Sequence, residues 1–179
     1  LELYPLSGKI VENTFSQADF YSPTGTRLSV RLAHPVTCAI NRTLFDRHLA
    51  EKAQAAGVCY YLNARVHSLL VDRGFTKGVT VTQEGTREEK VAAKIVVDAE
   101  GISSRLLRQT GLPRLDRKGP VYAVVAEVEK VKDVELDAVE VFLGKNYAPG
   151  FYAWLIRKLD GTAKVGLATR TGYPRELLQ

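Results

Sequence analysis

The chain has 179 residues, 45% of them hydrophobic and 25% charged, a balance that supports a packed core and excludes disorder as the main state. Its longest apolar runs, residues 121–126 and 151–156, have six residues each, whereas a membrane-spanning helix needs about 20. The formal charge of +5 is concentrated: residues 101–120 carry +4, with Arg105, Arg108, Arg114, Arg117 and Lys118 set against Asp116 alone, which points to a local anion site or a solvated face and, lacking interleaved aromatics, away from nucleic acid.

In chain order, residues 1–40 alternate in polarity. Residues 20–26 read as a strand entering a Pro-Thr-Gly turn, and residues 27–32 alternate with period two, so a hairpin is expected. A strand is expected at 37–40. The strongest helix prediction covers 43–56. There Thr43 and Asp46 approach a capping box, Leu44, Phe45, Leu49, Ala53 and Ala56 form an apolar stripe, and Gly57 supplies the stop. The continuous apolar run 58–62 predicts a parallel strand buried on both faces, half of a βαβ unit. Three antiparallel strands follow, near 64–72, 76–83 and 88–93, with turns at Asp72-Arg73-Gly74 and Glu84-Gly85. Residues 94–98 repeat the buried-strand pattern. A short helix is expected at 103–109, closed by Gly111 and Pro113. From 120 onward the pattern is all strand, at 122–129, 139–143, 151–157 and 164–169.

Cys38 and Cys59 are too few for a disulfide framework, and their spacing to His34, His48 and His67 matches no zinc pattern. No metal site is expected, and a reducing, cytoplasmic setting follows. None of the three histidines has a partner at telling spacing, so no catalytic residue is assigned. The chain opens without Met or a signal peptide, and residues 176–179 read as the start of a helix, so a piece of a longer protein is expected.

The segment Val96-Val97-Asp98-Ala99-Glu100-Gly101-Ile102-Ser103-Ser104-Arg105 has the form of a strand, a tight acidic-Gly turn and a helix start. Such a turn can present backbone N–H groups to an anion, with Arg105 pairing to phosphate. It also reads as an ordinary strand–turn–helix capped by Ser103 or Ser104.

Four segments in order resemble the geranylgeranyl reductase family, FAD-dependent enzymes of the p-hydroxybenzoate-hydroxylase-like group. The run from Asn41-Arg42-Thr43-Leu44-Phe45-Asp46 to Gly57 resembles R-x-x-F-D-x-x-L-a-x-x-A-x-x-x-G. Ala99-Glu100-Gly101-Ile102-Ser103-Ser104-Arg105 resembles A-D-G-x-x-S-x-x-R. Pro149-Gly150-Phe151-Tyr152-Ala153-Trp154-Leu155-Ile156 resembles P-G-G-Y-x-W-x-F-P, and Lys164-Val165-Gly166-Leu167-Ala168 resembles x-V-G-x-G. Glu100 stands in place of Asp, and Ile156-Arg157 replaces Phe-Pro.

The resemblance implies an α+β or α/β fold: a partial FAD-binding Rossmann-like unit with an inserted antiparallel meander (38–117) and a β-rich substrate domain (1–37 and 118–179). It implies FAD contacts at Arg42, Val66, Glu100, Gly101 and Arg105, and a polyprenyl-lined cavity at Phe151, Tyr152 and Trp154. It implies hydride transfer from reduced flavin to a prenyl C=C, with NAD(P)H or another reductant and contact with a membrane surface. Neither the N-terminal Gly-rich fingerprint nor the C-terminal G-D segment is in the sequence, so this piece alone is expected to hold an incomplete FAD site and to be inactive. The alternatives within the group are an aromatic hydroxylase and an electron-transfer flavoprotein dehydrogenase-like protein. Outside it, a stand-alone β-rich binding module remains.

Overall fold

The computed structural model describes residues 6–84, 87–112, 121–132 and 134–178. Gly85, Pro113 and the Arg114, Asp116, Arg117 and Lys118 part of the basic run lie outside the described residues. In chain order the elements are β1 (Val11–Phe15), β2 (Gln17–Tyr21), β3 (Arg27–Arg31), β4 (Thr37–Ile40), α1 (Arg42–Ala55), β5 (Ala64–Asp72), β6 (Phe75–Gln83), β7 (Glu89–Ala92), β8 (Tyr122–Val128), β9 (Ala138–Leu143), β10 (Tyr152–Arg157), β11 (Ala163–Thr169) and α2 (Pro174–Leu177). The fold is α+β, and the chain divides into two compact units, 1–52 with 118–179 and 53–117.

The first unit holds a six-stranded sheet of order β3-β2-β9-β10-β11-β8 and a two-stranded ribbon of β1 and β4. All its described pairings are antiparallel except β2 with β9, where Gln17 to Tyr21 run parallel to Ala138 to Phe142. The expected hairpin is β2–β3. Its turn is closed by Gly25 N–H donating to the Ser22 carbonyl and Ser22 N–H to that of Thr26, with Gly25 at φ +85°, a conformation cheap only for glycine. Phe15, Ile10, Ala138, Ala163 and Leu167 are buried. A charged cluster closes one end of the core. Lys158 is buried and salt-bridges Glu127 and Asp160, while Lys164 reaches Glu12 and the Ile40 carbonyl.

The second unit holds the meander β5-β6-β7. Arg73 and Gly74, at φ +49° and +81°, make the two-residue turn that matches strand twist.

Four expectations are corrected. Residues 58–62 and 94–98 are not strands. Their backbone is irregular and Leu62, Ile95 and Val97 are 70%, 81% and 83% exposed, because a strand forms only against a hydrogen-bonded neighbour and the described residues offer these runs none. The helix expected at 103–109 is instead two short 3₁₀ turns, Gly101–Ser103 and Leu107–Gln109, separated by Ser104 at φ +45°. Helix α1 is capped by Asn41, not by a Thr43–Asp46 box. The Asn41 side-chain oxygen accepts the Leu44 N–H at 3.0 Å, while the Asp46 carboxylate accepts from Arg42 Nε at 2.7 Å. The apolar stripe of this helix has no buried residue.

Candidate functional site

Side chains alternate across a strand, so register decides which of them meet. In the six-stranded sheet Phe20 lies beside Val141, Val141 beside Trp154, and Val139 beside Ile156. These residues, with Leu143 and Tyr152, line an apolar trough of about 480 Å³ on one face. A second hollow of about 270 Å³ shares the Val139 and Ile156 walls and extends past Val30, Leu32, Val36 and Cys38. Of the aromatic residues singled out in the sequence, Tyr152 and Trp154 line the trough. Phe151 stacks on Tyr152 with ring centroids 4.6 Å apart, and Tyr152 meets Trp154 edge-on at 5.8 Å. Phe20, Val139, Val141 and Leu143 complete the walls of the trough without any motif to mark them; their period-two pattern is visible in the sequence, but the pairing of residue 17 with residue 138 is not.

On the opposite face β2 and β9 carry the polar and charged side chains Gln17, Asp19 and Glu140, whereas β10 and β11 are apolar there, with Ala153, Leu155, Val165 and Leu167. Asp19 is 1% exposed. It accepts hydrogen bonds from Arg27 at 2.7 Å and from Gln17 at 3.0 Å. Burial works to raise its pKa, but hydrogen bonds from Arg27, Ser29 and Gln17 together hold it below the ordinary value. Asp137 accepts from Ser16 and Arg31, and its pKa is lowered chiefly by the Ser16 hydrogen bonds. Burial pushes Glu140 and its hydrogen-bond partner Tyr21 up. This network fastens the β2–β3 hairpin to the loop before β9.

In the unit 53–117, the Glu100-Gly101 turn is braced from within. The Glu100 carboxylate accepts the Leu106 N–H at 2.7 Å and the Ser103 hydroxyl at 3.2 Å, and Asp98 accepts the Glu100 N–H at 3.0 Å. Ser103 therefore supports the turn without capping a helix. Gly101 has φ +67°, with open space where a β-carbon would point, and Arg105 is exposed. Gln109 ties the segment to β5, donating to the His67 carbonyl at 3.1 Å and accepting the Leu69 N–H at 3.0 Å. It does so beside an irregularity in the β5–β6 pairing between Val66 and Ser68. Val66, Glu100, Gly101 and Arg105 thus share one compact unit. Arg42, Phe151, Tyr152 and Trp154 belong to the other, where the Arg42 guanidinium is exposed and paired with Asp46. Among the described residues no cluster of metal-ligating side chains is present.

Known proteins match this arrangement over most of the chain. Residues 17–176 match the model of the FAD-dependent oxidoreductase family. The digeranylgeranylglycerophospholipid reductase of Methanosarcina acetivorans is 31% identical over 175 residues, covering 90% of this chain and 42% of the relative. The digeranylgeranylglycerophospholipid reductase 2 of Methanopyrus kandleri is 36% identical over 162 residues, covering 89% and 39%. The crystal structure of a geranylgeranyl bacteriochlorophyll reductase-like protein from Thermoplasma acidophilum superposes with a TM-score of 0.83 at 26% identity, covering 93% of this chain and 43% of that one. The chain spans about two fifths of the length of the curated relatives it matches. Matched over nearly its whole length, the chain belongs to the FAD-dependent oxidoreductase family.

Proposed function

We propose that this chain is part of a flavin-dependent reductase that saturates C=C bonds of a geranylgeranyl or other polyprenyl substrate. The supporting observation is the trough, whose wall carries no charged side chain. Each CH₂ moved from water to such a wall gains about 0.8 kcal/mol, so a long prenyl chain is the ligand it rewards most. A phenol needs a buried polar partner for its hydroxyl, and the side chains of the trough offer only the Tyr152 hydroxyl and the Trp154 indole N–H at its aromatic end, which favours the prenyl chain over the substrate of an aromatic hydroxylase.

The FAD-contacting residues expected from the sequence suit one flank of a dinucleotide. Gly101 leaves room for close approach to the backbone and Arg105 presents an exposed cation. Val66 offers main chain at the irregular stretch of β5, and Arg42, in the other unit, carries an exposed guanidinium paired with Asp46. Glu100 acts in this reading as the brace of the turn. FAD held there would, once reduced by two electrons, supply a hydride to one carbon of an isolated C=C and return to its oxidised form, with a proton from a general acid or water completing the other carbon. This chain's own part is to hold the prenyl chain against Tyr152 and Trp154, with Phe151 stacked behind, and to keep water from it. Residues 38–117 are assigned to the cofactor side, and 1–37 with 118–179 to the substrate side. Further N- and C-terminal segments of the whole protein complete the flavin site, and NAD(P)H or another reductant supplies the electrons. Because prenyl substrates reside in lipid, the enzyme works against a membrane surface, on the cytoplasmic side; no described helix is long and apolar enough to cross one.

Two titrations of the 179-residue chain test this. Trp154 is the one tryptophan in the sequence, so a C20 prenyl alcohol is expected to change its emission saturably. A response to a phenol and none to the prenyl alcohol would overturn the substrate reading. FAD, followed by flavin fluorescence, is expected to bind weakly or not at all, and tight 1:1 binding would overturn the incomplete site.

A further inference from the structure

Trp154 on β10 and Gly166 on β11 face each other directly. A β-carbon on Gly166 would lie 2.4 Å from Trp154 Cζ2, 2.5 Å from Cε2 and 2.9 Å from Nε1. The indole therefore fills the space that any other residue type would take at 166. Gly166 is not among the positive-φ glycines, so an ordinary extended backbone runs through it and alanine meets no conformational penalty there. What the glycine provides is room.

That room governs where the indole goes. From β10 a side chain can lean towards β9 or towards β11. Leaning over β11 leaves free the hollow above Val141 and Phe20, which Trp154 walls together with Tyr152. A methyl group at 166 would drive the ring back over β9, into the trough.

Resting on the reading of the trough as a prenyl site, we propose that Gly166 is a specificity-determining residue. By letting the Trp154 indole lie down on β11, it sets the open depth of the trough and hence the length of prenyl chain admitted.

The test compares the wild-type 179-residue chain with Gly166→Ala, Trp154→Leu and the double variant. C10 and C20 prenyl alcohols are titrated by calorimetry, and folding is followed by circular dichroism. Gly166→Ala is expected to lose about tenfold in C20 affinity, equivalent to roughly two buried CH₂ groups, while C10 binding changes less than about twofold. Its tryptophan emission should differ from that of the wild type as the ring leaves β11 for the trough. The double variant is expected to regain the C20 affinity of Trp154→Leu to within about threefold. The proposal is overturned if Gly166→Ala binds C20 as wild type does, or if the double variant binds no better than Gly166→Ala. Should Gly166→Ala fail to fold, the double variant, with the collision removed, is expected to fold; its failure would show that 166 needs glycine for the backbone. A wild type that binds neither alcohol overturns the prenyl reading itself, whatever the emission of Gly166→Ala shows about packing.

Discussion

Asp19 and Glu140 sit on the same polar sheet face, opposite each other across the parallel β2–β9 pair, yet their pKa values move in opposite directions. Asp19 is held below 3.8 by its donors despite burial, whereas burial lifts Glu140 above 4.5. A lowered folded pKa makes the Asp19 contribution complete above the ordinary carboxylate value and lost as pH falls through the folded one. Breaking the Asp19–Arg27 ion pair from one side, with Asp19→Ala, is expected to cost about 2 kcal/mol at pH 7, below the range for a fully buried pair because Arg27 is part-exposed and keeps Glu135. The loss is measured by urea unfolding and should shrink towards pH 2. Glu140 has the reverse sign. Its ionisation burdens the folded state above its raised pKa, so Glu140→Gln should stabilise the chain at pH 7, with the gain fading as pH falls through the raised value and gone once it is below about 4.5. A Glu140→Gln chain less stable than wild type at neutral pH would show that the Tyr21 hydrogen bond outweighs desolvation.

Among the elements, helix α1 separates two accounts of one local sequence. Asn41, Thr43 and Asp46 all have the chemistry of an N-terminus, and the geometry chooses Asn41. Asn41→Ala is expected to cost about 1 kcal/mol of helix stability, while Thr43→Ala costs a few tenths at most. Ellipticity at 222 nm during a thermal melt checks the difference, and the reverse order would restore the Thr43–Asp46 box. The elements readable in advance were those whose information is local. The β2–β3 hairpin carries its own Pro-Thr-Gly turn, the β5–β6 turn has Arg73 and Gly74 in left-handed conformations, and β8 to β11 alternate between marked turns. The trough was less legible because its walls meet through the parallel pairing of β2 with β9, strands more than a hundred residues apart. The helix expected near 103–109 failed for a different reason. The Ser-rich stretch promised a cap, but the Glu100 carboxylate took the Leu106 N–H and turned the chain into two 3₁₀ turns.

At the scale of the whole molecule, apolar side chains are distributed in two ways. On the six-stranded sheet they are mostly covered or line the trough. In 58–62 and 94–98 they stand in solvent: Val58, Tyr60, Tyr61, Leu62, Ile95 and Val97 are all exposed. Both runs have the composition of strands buried on two faces, and neither has a hydrogen-bonded strand partner among the described residues. Curated relatives are more than twice as long as the matched region. We therefore expect these runs to record a sheet that longer members of the family complete, and hydrogen exchange can read this directly. In the 179-residue chain the amides of 58–62 and 95–98 should exchange almost as fast as in an unstructured peptide, since local opening there costs close to nothing. The amides of β10 and β11, each bonded on both sides within the sheet, should be among the slowest. When the same residues are carried in a protein of the relatives' full length, the two apolar runs should become protected while β10 and β11 change little. Protection of 58–62 in the short chain would mean that the run already has a partner, and continued fast exchange in the long one would mean that it never acquires one.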